Sequence, residues 1–164
     1  NENKNKYKCF IANDNSEGQI VLSGKTKDLE NFSTDLKKKL IKNIILPVSA
    51  PFHCELMSKA TEVMKKEINN LNFQSCDKVL VSNVTAKKMT EISNIKDLLI
   101  KQIESRVRWR ESVKYMIEGG TDEFIEIGPG KVLSGLIKRI NKKLKVSAIN
   151  NEEDISILKN KNEF

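Results

Sequence analysis

The 164-residue chain has a single histidine, His53, in the string Leu46-Pro47-Val48-Ser49-Ala50-Pro51-Phe52-His53-Cys54. An imidazole changes charge near neutrality, so a lone histidine in a loop between two regular elements is a candidate general base. Cys54 follows it, but neighbours in sequence do not face one another on a helix, and no third group stands by to orient a Cys-His pair. A thiol nucleophile is therefore disfavoured. Gly128-Pro129-Gly130 lies between an apolar run and a helical pattern; its amides could receive an anion, although a tight turn that needs glycine explains it as well. No G-x-x-x-x-G-K-[ST] or G-x-G-x-x-G string is present. Cys9, Cys54 and Cys76 are far apart and form no C-x-x-C pair, so they read as free thiols rather than metal ligands or a redox couple.

These residues must be carried by elements that the periodicity outlines. Tyr7 to Asn13 and Gln19 to Ser23 are strand-like around the turn formers Asn13 to Gly18, where Asn13 and Asn15 have local reasons to occur. Leu29, Phe32, Leu36 and Leu40 recur at helical spacing, with Lys37, Lys38 and Lys39 towards the negative end of that helix. Asn43 to Val48 is expected as a short buried strand that ends or kinks at Pro47. Met57, Ala60, Met64 and Ile68 predict an amphipathic helix, Lys78 to Asn83 a buried strand, and Ile95, Leu98, Leu99 and Ile103 another helical face. Trp109, Val113, Met116 and Ile117 mark a helix that Gly119-Gly120 stops. Strand Glu123 to Ile127, a helix faced by Val132, Leu133, Leu136, Ile137 and Ile140, and strand Lys145 to Ile149 complete the chain. Strands alternating with helices predict an α/β sheet covered by helices, with only the Asn/Lys-rich ends disordered.

Composition limits the remaining possibilities. No apolar run reaches the roughly 18 to 20 residues of a membrane span, and residues 1–6 have no apolar signal core. A formal charge of +7 suggests phosphate binding, yet the excess is Lys, spread along the chain with many Asn, and Arg is scarce. A solvated, charged surface explains it more simply than nucleic acid.

Taken together, the strings carry a resemblance. Asn15 to Gly24 (NSEGQIVLSG), Leu46 to Met57 (LPVSAPFHCELM), Val81 to Ala86 (VSNVTA), Val107-Arg108-Trp109 with Ser112-Val113, and Glu126 to Ile140 (EIGPGKVLSGLIKRI) closely resemble, in order, the malonyl-CoA:acyl carrier protein transacylases of type II fatty acid synthesis. The blocks span residues about 8 to 150. The resemblance implies an α/β fold: a partial α/β-hydrolase-like large domain, residues 47–164, plus part of an inserted ferredoxin-like subdomain, residues 1–46. It implies an acyltransferase, a malonyltransferase, with His53 as the catalytic base that deprotonates a serine and later the carrier's phosphopantetheine thiol. The family's base is oriented by a main-chain carbonyl in the segment matching Arg108, where relatives often carry Gln. Phe52 matches a position that goes with malonyl rather than methylmalonyl units, while Asn15, and more weakly Asn13, match groove-lining polar residues.

The same resemblance exposes a departure. The family's serine lies in G-H-S-x-G, and no such string occurs here. The arginine for the malonyl carboxylate and the glutamine loop of the oxyanion hole have no counterparts either. The chain therefore resembles roughly the second half of the enzyme, is expected to be inactive alone, and is expected to leave an apolar sheet face uncovered. Implied partners are malonyl-CoA as substrate, acyl carrier protein, and the missing N-terminal half; no metal, bound cofactor, nucleic acid or membrane is implied. By family analogy a plastid-type organelle or a bacterial cytoplasm would suit it. The alternative from another class is a non-catalytic basic binding module, for nucleic acid or an acidic protein, on a transferase scaffold. An acyltransferase domain of a multidomain polyketide synthase fits less well, since linkers and neighbouring domains are not visible.

Overall fold

Cys9–Ser16 (β1) and Gln19–Gly24 (β2) form an antiparallel hairpin in the computed structural model, which describes residues 6–74, 77–89 and 91–162. Cys76 and the extreme ends lie outside the described residues. The link between the strands is Glu17-Gly18, with Gly18 at φ 74°, a conformation glycine adopts without steric cost. Asn13 and Asn15 thus sit in β1 rather than in the turn. Irregularities between Ile11 and Asn13 and between Asp14 and Ser16 bend β1 and re-aim its side chains. A Cβ on Gly24 would stand 2.7 Å from the Lys8 carbonyl oxygen, so glycine is required at the open end of the hairpin, opposite Cys9.

Thr26–Lys38 (α1) follows, with Lys37 and Lys38 in its last turn, where cations meet the negative end of the helix dipole. Phe32 on α1 packs on Tyr7 with ring centroids 5.5 Å apart. Leu40, which the spacing assigns to this helix, lies beyond it at φ 58° and is 94% exposed. Asn43 to Val48 is not a strand, and Ile44 is 75% exposed. An apolar run becomes a strand when a neighbour takes its backbone N–H and C=O groups, and among the described residues no strand pairs with it.

Ser58–Asn70 (α2) is amphipathic and packs on Ile92–Lys101 (α3). It buries Ile68, while Met64 on the same face stays half exposed. Between them the expected strand Lys78 to Asn83 shrinks to Leu80–Val81 (β3), paired only with Lys88–Met89 (β4). For want of further neighbours Val79 remains 74% exposed. Residues 102–108 then return to the hairpin. The Val107 N–H donates to the Ala12 carbonyl at 2.8 Å, and the Asp14 N–H donates to the Val107 carbonyl at 2.9 Å. β1 is therefore held on both edges.

Trp109–Glu118 (α4) runs through the division between two compact units, residues 1–112 and 113–164. Its end is a Schellman motif: Thr121 N–H donates to Met116 O at 3.0 Å and Gly120 N–H to Ile117 O at 2.9 Å, with Gly120 at φ 94°. In the second unit Glu123–Ile127 (β5) pairs in parallel with Lys145–Ile149 (β6), joined through Val132–Ile140 (α5). α5 buries Leu136 and Ile137, and Glu152–Asn162 (α6) follows β6. The chain is α/β, but its described strands form three two-stranded sheets rather than one continuous sheet. Apart from the bridge of β1 to Val107, each strand pairs with a single partner among the described residues. No helix among the described residues is long and apolar enough to cross a membrane.

Candidate functional site

His53 lies between residues 41–48, which form no regular element, and a single 3-10 turn, Glu55–Met57. Its backbone is at φ 60°, a region where a Cβ crowds the following carbonyl and where non-glycine residues need surrounding structure to hold them. Part of that structure is visible at the preceding residue, Phe52. The Ser23 hydroxyl, near the end of β2, donates to the Phe52 carbonyl at 2.5 Å, and the Phe52 N–H donates to the Ala50 carbonyl at 3.0 Å.

The ring is held by a main-chain group. His53 Nδ1 stands 3.0 Å from the carbonyl oxygen of Gln102. A carbonyl only accepts, so Nδ1 carries the proton, and the neutral ring keeps its lone pair on Nε2. That is the tautomer a general base needs. The half-buried ring lines an open cleft of about 340 Å³, whose other walls include Phe10, Ile11, Cys54, Glu104 and Arg106.

Cys54 is buried, and its Sγ donates to the Pro51 carbonyl at 3.1 Å. Burial, above all, pushes this thiol up, which opposes the thiolate a nucleophile requires. It is a packed residue of the cleft wall rather than a reactive one. Phe52 is half exposed beside the base. The cleft takes Cys9, Phe10 and Ile11 from β1, and not Asn13 or Asn15, which are half-buried further along that strand.

The residue opposite the base differs from the one the resemblance suggested. Arg108 does not present its carbonyl to His53. That oxygen accepts from the Ser112 N–H at 2.9 Å and the Ser112 hydroxyl at 3.0 Å, because Arg108 begins the first turn of α4. Its guanidinium pairs with Glu111, with Nε at 3.0 Å from Oε1, and this contact holds the Glu111 carboxyl below its ordinary range. Sequence reasoning missed Gln102 for a physical reason. A residue that acts through its backbone carbonyl carries no side-chain signature.

The Gly128-Pro129-Gly130 turn is no anion site. Gly130 N–H donates to Asn150 Oδ1 at 2.6 Å, and the Glu126 carboxylate already accepts from the N–H groups of Leu133 at 3.1 Å and Ser134 at 2.7 Å. Glu126 caps α5 from within the chain. Among the described residues no three His, Cys, Asp or Glu side chains gather closely enough to hold a metal ion.

No family model matches the chain. It is 45% identical over 148 residues to the malonyl CoA-acyl carrier protein transacylase of Bacillus subtilis (strain 168), an overlap covering 90% of this chain and 47% of that protein. The solved malonyl CoA-acyl carrier protein transacylase of Clostridium perfringens superposes with a TM-score of 0.88 at 38% identity, over 93% of this chain and 48% of that one. A type II polyketide synthase acyl-carrier protein in complex with its malonyl-transacylase also matches, with a TM-score of 0.88 at 33% identity, over 97% of this chain and 52% of that one. This chain spans about half the length of the relatives it matches.

Proposed function

This chain is homologous to the malonyl CoA-acyl carrier protein transacylases over about half of their length, and from that premise we propose that it contributes the general base of a malonyl transfer. His53 Nε2 takes the proton from a serine hydroxyl as the oxygen attacks the thioester carbonyl of malonyl-CoA. It returns that proton to the departing CoA sulfur, leaving malonyl on the serine. The phosphopantetheine thiol of an acyl carrier protein then gives its proton to Nε2 and attacks the ester, and the proton goes back to the serine. Serine at neutral pH is a weak nucleophile, so a positioned base is a chemical requirement of this sequence of steps.

The observation that carries the reading is the contact of His53 Nδ1 with the Gln102 carbonyl at 3.0 Å, which leaves Nε2 as the ring's acceptor on a residue that lines an open cleft. Phe52 is the residue proposed to favour malonyl over branched units. Asn13 and Asn15 stay outside the reading, because other residues of β1 line the cleft. The serine must come from the half of the relatives that this chain does not cover, since no G-H-S-x-G string occurs in it.

The test is intact mass spectrometry after incubation with malonyl-CoA, with this chain alone and joined to the uncovered half of the Bacillus subtilis relative. The joined protein is expected to gain a malonyl adduct on the supplied serine, with His53→Ala slowing its formation by roughly a thousandfold or more. An adduct on the 164-residue chain alone that depends on His53 would overturn the account. So would undiminished acylation in the His53→Ala protein.

A further inference from the structure

The carbonyl that meets His53 lies just past regular structure. Gln102 is the C-cap of α3, followed by a turn at residues 103–105, and a main-chain carbonyl at such a place can point in several directions. Two restraints are local: the Gln102 N–H donates back to Leu98 O at 3.0 Å, and the Ile103 N–H, in the same peptide unit as the Gln102 carbonyl, donates to Ile100 O at 3.2 Å. A third comes from a remote segment. Asn83 Nδ2 donates to the side-chain oxygen of Gln102 at 3.4 Å.

Asn83 is itself well held. The turn at residues 82–87 is closed by Ser82 N–H to Lys87 O and Ala86 N–H to Ser82 O, both 2.9 Å, and the Val84 N–H donates to Ser82 Oγ at 3.1 Å. The Asn83 carbonyl accepts the Arg108 N–H at 3.1 Å. The Arg108 guanidinium lies against the carbonyls of Val84 at 3.4 Å and Thr85 at 3.3 Å. Arg108 thus staples the turn that carries Asn83.

We propose that Asn83 is a positioning residue: through the Gln102 side chain it fixes the direction of the Gln102 carbonyl, and so holds His53 in the tautomer protonated at Nδ1. The inference rests on the reading of His53 as base. An amide is suited to this link because it donates to Gln102 while its own backbone stays in the turn. Without it, only the backbone bonds at the α3 end hold the Gln102 peptide unit, and the carbonyl shifts from its alignment with the ring.

Because His53 is the chain's single histidine, the ring-nitrogen NMR spectrum of the 15N-labelled chain reports this residue alone. The wild-type ring is expected to carry its proton on Nδ1. Asn83→Ala and the turn-compatible Asn83→Asp, which loses the donor, are both expected to raise the share of the Nε2–H tautomer several-fold. Gln102→Met, which keeps the backbone carbonyl but loses the side-chain acceptor, should do the same, and the Asn83→Ala/Gln102→Met double variant should add nothing further. In the joined enzyme Asn83→Ala should lower kcat by about tenfold or more with KM within about twofold. An unchanged tautomer ratio in both Asn83 variants overturns the inference while leaving the base reading intact, and so does an additive double variant. A wild-type ring protonated at Nε2 overturns the inference as well, whereas undiminished acylation in His53→Ala defeats the base reading by itself.

Discussion

At φ 60° the Cβ of His53 crowds its own carbonyl, at a cost of roughly 1 to 2 kcal/mol for an ordinary L-residue. Glycine escapes that crowding but loses more chain entropy on folding, by roughly 0.5 to 1 kcal/mol. The balance predicts that His53→Gly is more stable than His53→Ala by about 0.5 to 1 kcal/mol, although both lack the imidazole. Urea unfolding of the two variants measures the difference, and equal midpoints would show that the loop relaxes out of the left-handed region once the ring is gone. The same residue shows what a sequence discloses of such a site. His53 stood out because its type is rare and its loop position is suggestive. Gln102 did not, because any residue supplies the same carbonyl, and Arg108 drew attention while its own carbonyl was committed to α4.

Elements were legible where their partners lie close in the chain. The β1–β2 hairpin needs only a two-residue link, and β5 and β6 find each other across α5, so their alternation and flanking glycines located them well. Asn43 to Val48 and Lys78 to Asn83 have equally apolar strings, but a strand is defined by its neighbour, and a string cannot say whether the neighbour is present. The second edge of β1, made by Val107, was also invisible, since it joins residues some ninety positions apart with two backbone bonds. Arg110 on α4 reinforces that edge. Its Nη2 lies 2.8 Å from Asp14 Oδ2, and the Asp14 side chain is 8% exposed. Removing only the cation leaves the little-exposed Asp14 carboxylate without its partner, and because the arginine itself is a third exposed, Arg110→Met should destabilise the chain by roughly 1 to 2 kcal/mol. The Arg110→Met/Asp14→Asn double variant should recover part of that loss. Chemical unfolding of the single and double variants checks this, and a double variant as unstable as the single one would mean that the pair contributes nothing beyond the arginine's packing.

Across the molecule, apolar side chains stand exposed where strands lack neighbours. In residues 1–112 Ile44, Ile45, Val48 and Val79 are more than half exposed, and in residues 113–164 so are Ile127 and Val132. Scattered apolar residues are normal on a surface, but runs such as 44–48 form patches that ordinarily meet another surface. The relatives contain another half of comparable length, and a stable association needs a buried area of about 1,200 to 2,000 Å². The chain alone is therefore expected to self-associate as its concentration rises, bind an apolar dye, and unfold over a broad temperature range. Adding the uncovered half of the Bacillus subtilis relative as a separate chain should replace those aggregates with a one-to-one complex. Dye binding should fall and the thermal midpoint should rise with the partner's concentration, as mass action requires when a ligand binds only the folded state. Sedimentation velocity and a thermal scan at several ratios decide it. A monomer at every concentration with a sharp cooperative transition, unaltered by the added half, would mean that the exposed strips are covered within the chain itself.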